Sequence, residues 1–143
     1  MFTIFVVLLT VIADQITKYF VHTNMDLGET IPVIKNVFHL TYIINPGAAF
    51  GLFPHQDMLF LGIVMVLLLA FAWLRRSIPQ KPIYFPLSVG LLLGGAIGNA
   101  LDRYRIGGVV DFFDFRIWPI FNVADIAICI GVACIAFYFW RHD

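Results

Sequence analysis

Serine is almost missing from this chain: Ser77 and Ser88 are the only ones, neither lies in a GxSxG setting, and no serine-hydrolase nucleophile is on offer. Metal-ligand patterns are missing too. HExxH does not occur, and His22, His39, His55 and His142 are scattered without ligand spacing, so no metal and no other cofactor is expected. Cysteine is scarce. Cys129 and Cys134 sit on one apolar run, separated by about 140° of rotation at 3.6 residues per turn, too far round to bridge each other. They are expected to be buried thiols. Charge is equally sparse at 13% of residues, and nine basic against nine acidic side chains leave a net charge of zero that points to no charged partner. No nucleic acid is expected.

What the chain has instead is apolar bulk. With 61% hydrophobic residues and a mean hydropathy of +0.90 there is too little polar surface to wrap a soluble globule. The composition implies an all-α integral membrane protein. Four stretches, 2–21, 58–74, 83–101 and 120–140, each approach the roughly 20 residues needed to cross a bilayer. The remainder forms an outer segment, 22–57, and an outer loop, 102–119. A single membrane domain, 1–143, is therefore expected, with a small β-like segment and an interfacial loop on the extracytoplasmic side. The first stretch has no Lys or Arg ahead of it and no small-residue cleavage site after it, so it reads as a retained helix and not a signal peptide. A membrane barrel is excluded, because the runs lack two-residue alternation.

Loop charge sets the expected orientation. The connection RRSIPQKP, 75–82, carries Arg75, Arg76 and Lys81 without an acid, whereas 22–57 carries Asp26, Glu29 and Asp57 against Lys35. The basic loop should be cytoplasmic, which puts both termini inside. Trp73 and Trp140 then fall near the inner boundary and Trp118 near the outer one.

On this topology Asp14, Asp102, Asp111 and Asp125 gather toward the outer side. Asp14, four residues before Lys18, and Asp102, beside Arg103, also read as ordinary helix-end ion pairs. Asp125, placed about five residues into the last helix, has no basic residue three or four positions away, so its partner must come from elsewhere. Asn99, Asp102 and Arg103 line one helix face and Asn122 and Asp125 line another. Gly90, Gly94 and Gly98 recur every fourth residue, a stripe that signifies close helix packing. In 37–44, Phe38, Leu40, Tyr42 and Ile44 alternate with His39 and Thr41, predicting an amphipathic strand on the membrane surface. A turn at 45–47 and the apolar tract 48–53 follow, proposed as an interfacial lid with Phe50 as its anchor and Gly47 and Gly51 as its hinges.

Five segments carry a resemblance: DQITK (14–18), NPGAAFG (45–51), GGAIGNALDR (94–103), GGVVDF (107–112) and FNVAD (121–125). In this order and between these helices they resemble the motif set of the lipoprotein signal peptidases, or signal peptidase II. The resemblance implies an intramembrane aspartic endopeptidase of the bacterial inner membrane. It would remove the signal peptide from diacylglyceryl-modified prolipoproteins on the N-terminal side of the lipidated Cys. It places the catalytic pair on Asp111 and Asp125 and substrate binding on Asp14, Lys18, Asn45, Gly47, Asn99, Arg103 and Asn122. Pro46 stands at a variable position, and Ile126 stands where many members have a small hydroxyl residue. The implied partners are the lipid-modified precursor and membrane lipid, with the enzyme acting as a monomer.

The chemistry fits without the resemblance. Peptide hydrolysis with neither metal nor nucleophilic side chain needs one carboxylate to take a proton from water and a second, protonated one to polarise the carbonyl. Two adjacent carboxylates share one proton, because like charge and low dielectric raise one pKa. A small proton-coupled carrier would also place acids and amides between helices. Against it, the charged residues gather at one side and form no relay toward the cytoplasm. A non-catalytic lipid-binding subunit would need only the groove.

Overall fold

The computed structural model describes residues 1–47 and 53–142. Among them are four helices, α1 (Phe2–Asn24), α2 (Asp57–Leu74), α3 (Tyr84–Ile106) and α4 (Val123–His142), each long and apolar enough to cross a membrane. Phe50 and Gly51, named above for the lid, lie outside the described residues.

Helix α3 is the centre of the bundle. Its glycines let both neighbours approach at backbone distance: a Cβ on Gly90 would stand 2.6 Å from the Cβ of Val6, and one on Gly94 2.6 Å from that of Thr10. On the opposite flank a Cβ on Gly95 would come within 2.5 Å of the Ala124 carbonyl. The partner face of α1 is the row Thr3, Val6, Thr10, Asp14, Lys18 and Val21, spaced by three and four residues as one helix face requires. Helix α2 packs on α3 and has no buried residue, as a helix facing lipid or an open groove would.

The all-α expectation needs correction. Three strands, β1 (Thr30–Ile34), β2 (Phe38–Asn45) and β3 (Val109–Asp114), form an antiparallel sheet in the order β1-β2-β3. Strand β3 occupies what reads in sequence as outer loop. Its short VVDFFD run has no helical length, and its partner β2 lies more than sixty residues away in the chain, where no local pattern reveals it. The amphipathic reading of 37–44 also fails. A register shift between Leu40 and Ile43 lets two consecutive residues be buried. Thr41 donates to the Asp114 carboxylate at 2.7 Å, while Tyr42 packs with Val21, Val110 and Phe112.

Helix ends move as well. Helix α3 runs to Ile106 and stops at Gly107, whose φ of 67° is left-handed and whose N–H returns to the Arg103 carbonyl at 3.0 Å. Helix α4 begins at Val123, so Asp125 stands in its first turn and not five residues into the helix. The cysteines differ too: Cys129 is exposed and Cys134 half-buried.

Candidate active site

The site is assembled where β3, the start of α4 and the C-terminal end of α3 meet. Phe121 and Phe113 exchange backbone hydrogen bonds of 3.1 and 2.8 Å, which lays 121–122 beside β3 and brings Asn122 against Asp111. Asn122 then caps α4. Its side-chain oxygen accepts the Asp125 N–H at 2.9 Å, and its own N–H donates to the Asp125 carboxylate at 3.1 Å. This reciprocal pair satisfies two backbone donors at a helix start that would otherwise be orphaned.

The Asn122 amide nitrogen donates to the Asp111 carboxylate at 2.7 Å, and also lies 3.1 Å from both the Val110 carbonyl and the Asn99 side-chain oxygen. Asn99 donates in turn to Asp125 at 2.8 Å. Asn45, at the end of β2, donates to the second oxygen of Asp111 at 3.0 Å. Each aspartate is thus held by amides from more than one element. Burial pushes the Asp111 carboxyl up to about 7; the nearby Asp125 charge adds to the rise, and the amides of Asn45 and Asn122 oppose it.

The four converging carboxylates resolve into two separate pairs. Lys18 bonds Asp14 and Asp102, each at 2.9 Å, and donates to the Asn99 side-chain oxygen at 3.0 Å. The Asp102–Arg103 pairing that adjacency offers is not formed. Asp102 instead accepts the Val110 N–H at 3.1 Å, fixing β3 one residue before Asp111, and Asp14 accepts the Ala124 N–H at 3.0 Å in the first turn of α4. A carboxylate there suits the positive end of the helix dipole. Gln15 ties the pair together from the side, donating to both Asp14 and Asp102. Neither Gln15 nor the bridging role of Asp102 was apparent from sequence. The only signal is that Asp102 continues the four-residue row of Gly90, Gly94 and Gly98, while Gln15 stands beside the packed face of α1 and gives none.

A cavity of about 640 Å³ opens beside Asp111 and Asp125. Asp111, Asp125, Asn45, Gly47, Asn99 and Arg103 line its polar end, while α2 contributes Phe60, Ile63, Val64 and Leu67 to an apolar wall facing Ile126 and Cys129 of α4. Asp14, Lys18 and Asn122, expected to bind substrate, are not among the lining residues. They are almost wholly buried and act on the site through Asn99, Asp102 and Asp111. Among the described residues no group of His, Cys, Asp and Glu is arranged to hold a metal.

Fold and site together define a multi-pass membrane protein with two aspartates at the polar end of an otherwise apolar cavity. The family model described as signal peptidase (SPase) II matches residues 6–141, and the chain belongs to that peptidase family. It is 44% identical to the lipoprotein signal peptidase of Halothermothrix orenii over 96% of this chain and 94% of that relative. To the lipoprotein signal peptidase of Moorella thermoacetica it is 50% identical, over 87% of this chain and 83% of that protein. A bacterial membrane enzyme solved by the in meso method at 2.3 Å superposes with a TM-score of 0.90 at 34% identity, covering 97% of this chain and 87% of the other. The sheet and the four membrane-capable helices therefore belong to a fold known from a bacterial membrane enzyme.

Proposed function

We propose that the chain is an aspartic endopeptidase that removes signal peptides from lipid-modified prolipoproteins on the N-terminal side of the lipidated Cys. The observation that carries this reading is the placement of Asp111 and Asp125 on one cavity wall, linked by Asn99 and Asn122. Asp111 holds the shared proton below about pH 7, consistent with a carboxyl raised to about 7. Asp125 takes a proton from a water placed between the pair as the water oxygen attacks the scissile carbonyl carbon. Asp111 gives its proton to the carbonyl oxygen. Collapse of the resulting diol breaks the C–N bond, with the proton gained by Asp125 passing to the leaving amine and Asp111 recovering its own. The apolar wall between α2 and α4 suits a signal helix and acyl chains, and the charge of the basic loop 75–82 supports a reading with that loop cytoplasmic and the dyad at the outer leaflet.

Cleavage of a diacylated precursor by the detergent-purified protein tests this. Asp111→Asn and Asp125→Asn should each lower turnover more than about a hundredfold, the range for losing a general acid-base group. A variant that stays within tenfold of the parent would remove its aspartate from the dyad, and an inactive parent protein would remove the peptidase reading.

A further inference from the structure

Arg103 lines the cavity, yet most of what it touches belongs to neither dyad aspartate. One guanidinium nitrogen donates to the Gly47 carbonyl at 3.0 Å, and another lies 3.5 Å from the Asn99 carbonyl on its own helix. The guanidinium carbon stands 4.3 Å from the centroid of Phe60, and Nε lies 3.8 Å from an oxygen of Asp57, the first residue of α2. Arg103 therefore reaches Gly47 on one side and the start of α2 on the other. These two places are also joined by the backbone, since the His55 N–H donates to the Pro46 carbonyl at 2.8 Å.

The charges around Arg103 pull in different directions. Asp57 attracts it from α2, Asp125 from α4, Asp111 from β3 and Asp102 from its own helix. Lys18 of α1 stands behind Asn99, and the exposed His55 precedes α2. The dyad side offers two carboxylates within reach of the electrostatic field, so a cation left to itself would be drawn toward them. The side chain of Asp57 is one-quarter exposed and that of Arg103 one-tenth. In so sheltered a place the Asp57 carboxylate, set on α2 apart from the dyad, has real leverage.

We propose that Asp57 is a positioning residue: by holding the Arg103 guanidinium between Gly47 and Phe60, it keeps that cation from collapsing onto Asp111 and Asp125. This rests on the peptidase reading. Arg103 is then presented at the cavity wall for a substrate carbonyl, and the dyad keeps the single shared proton that its chemistry requires. A guanidinium resting on the dyad would instead stabilise both carboxylates as anions.

Two measurements on the full chain in detergent test the proposal. The first is the pH profile of cleavage of a diacylated precursor by the parent protein, Asp57→Asn and Asp57→Glu. Asp57→Asn should move the dyad-controlled limb down by about half a pH unit or more, in the sense of a cation approaching a carboxylate, and raise KM several-fold. Asp57→Glu should restore both. The second is hydrogen exchange of the His55 amide, which needs no activity: Asp57→Asn should accelerate it several-fold, and Asp57→Glu should not. A pH profile and KM equal to the parent's in Asp57→Asn overturn the proposal, even if melting falls, since that pattern describes a helix-start residue alone. Cleavage absent from the parent protein overturns the peptidase reading, and exchange then still decides whether Asp57 holds this corner: an unchanged His55 amide says that it does not.

Discussion

Asn122 and Asp125 bond to each other twice, N–H to carboxylate at 3.1 Å and N–H to side-chain amide at 2.9 Å, and the same Asn122 donates to Asp111 at 2.7 Å. One residue thus starts α4, sets the rotamer of one dyad aspartate and supports the other. Asn122→Ala removes the cap and leaves buried acceptors unmet. It should lower stability by about 2 kcal/mol and turnover by more than about tenfold. Thermal unfolding and single-turnover cleavage, run on the same preparation, check both halves.

Protonation of Asp111 makes stability depend on pH in a defined direction. Its carboxyl lies near 7 in the folded protein against 3.8 for an ordinary aspartate, so between those values the folded state holds one proton more than the unfolded state. Stability from this group is then full below about pH 4 and is lost as pH rises toward 7. Asp111→Asn removes the slope. Its melting temperature relative to the parent should therefore be higher at pH 7.5 than at pH 4.5, and a difference that does not change with pH contradicts the raised carboxyl.

Lys18 is tested by asking whether charge alone or charge with shape matters. Lys18→Met leaves Asp14 and Asp102 as a buried pair of unmatched acids, at a cost of about 3 to 5 kcal/mol. Lys18→Arg keeps the charge but brings a planar fork to a site built for a compact ammonium with three acceptors around it. Destabilisation is expected in both, larger for Met. If Lys18 instead bound substrate directly, Lys18→Met would raise KM with melting unchanged.

The close approach of α3 to α4 predicts a contrast between two glycines. A methyl at Gly95 meets the Ala124 carbonyl and Ile128, so Gly95→Ala should push away the helix that carries Asp125, costing about 1 to 3 kcal/mol and reducing activity. A methyl at Gly62 on α2 would have nothing within 4 Å, and Gly62→Ala should be neutral or stabilising by up to about 1 kcal/mol. Melting temperatures of the two variants decide the matter.

Membrane character and the number of membrane-capable helices among the described residues were legible in the sequence alone, because the length and apolarity of a span are local properties that the bilayer thickness reads directly. The resemblance carried by the five motifs pointed to Asp111, Asp125, Asn99 and Arg103, which the structure brings to the lining of one cavity. The division of labour among the polar residues was decided only by tertiary structure. Lys18 could not be seen to choose Asp102 across more than eighty residues of chain, nor Asn122 to face Asp111 across the bridge from Phe121 to Phe113. Strand β3 was hidden for the same reason: a six-residue strand gains its hydrogen bonds from a partner that the local pattern does not contain. Whether a buried polar side chain meets substrate or holds another side chain depends on which element covers it, and that is fixed only when the helices and sheet pack together.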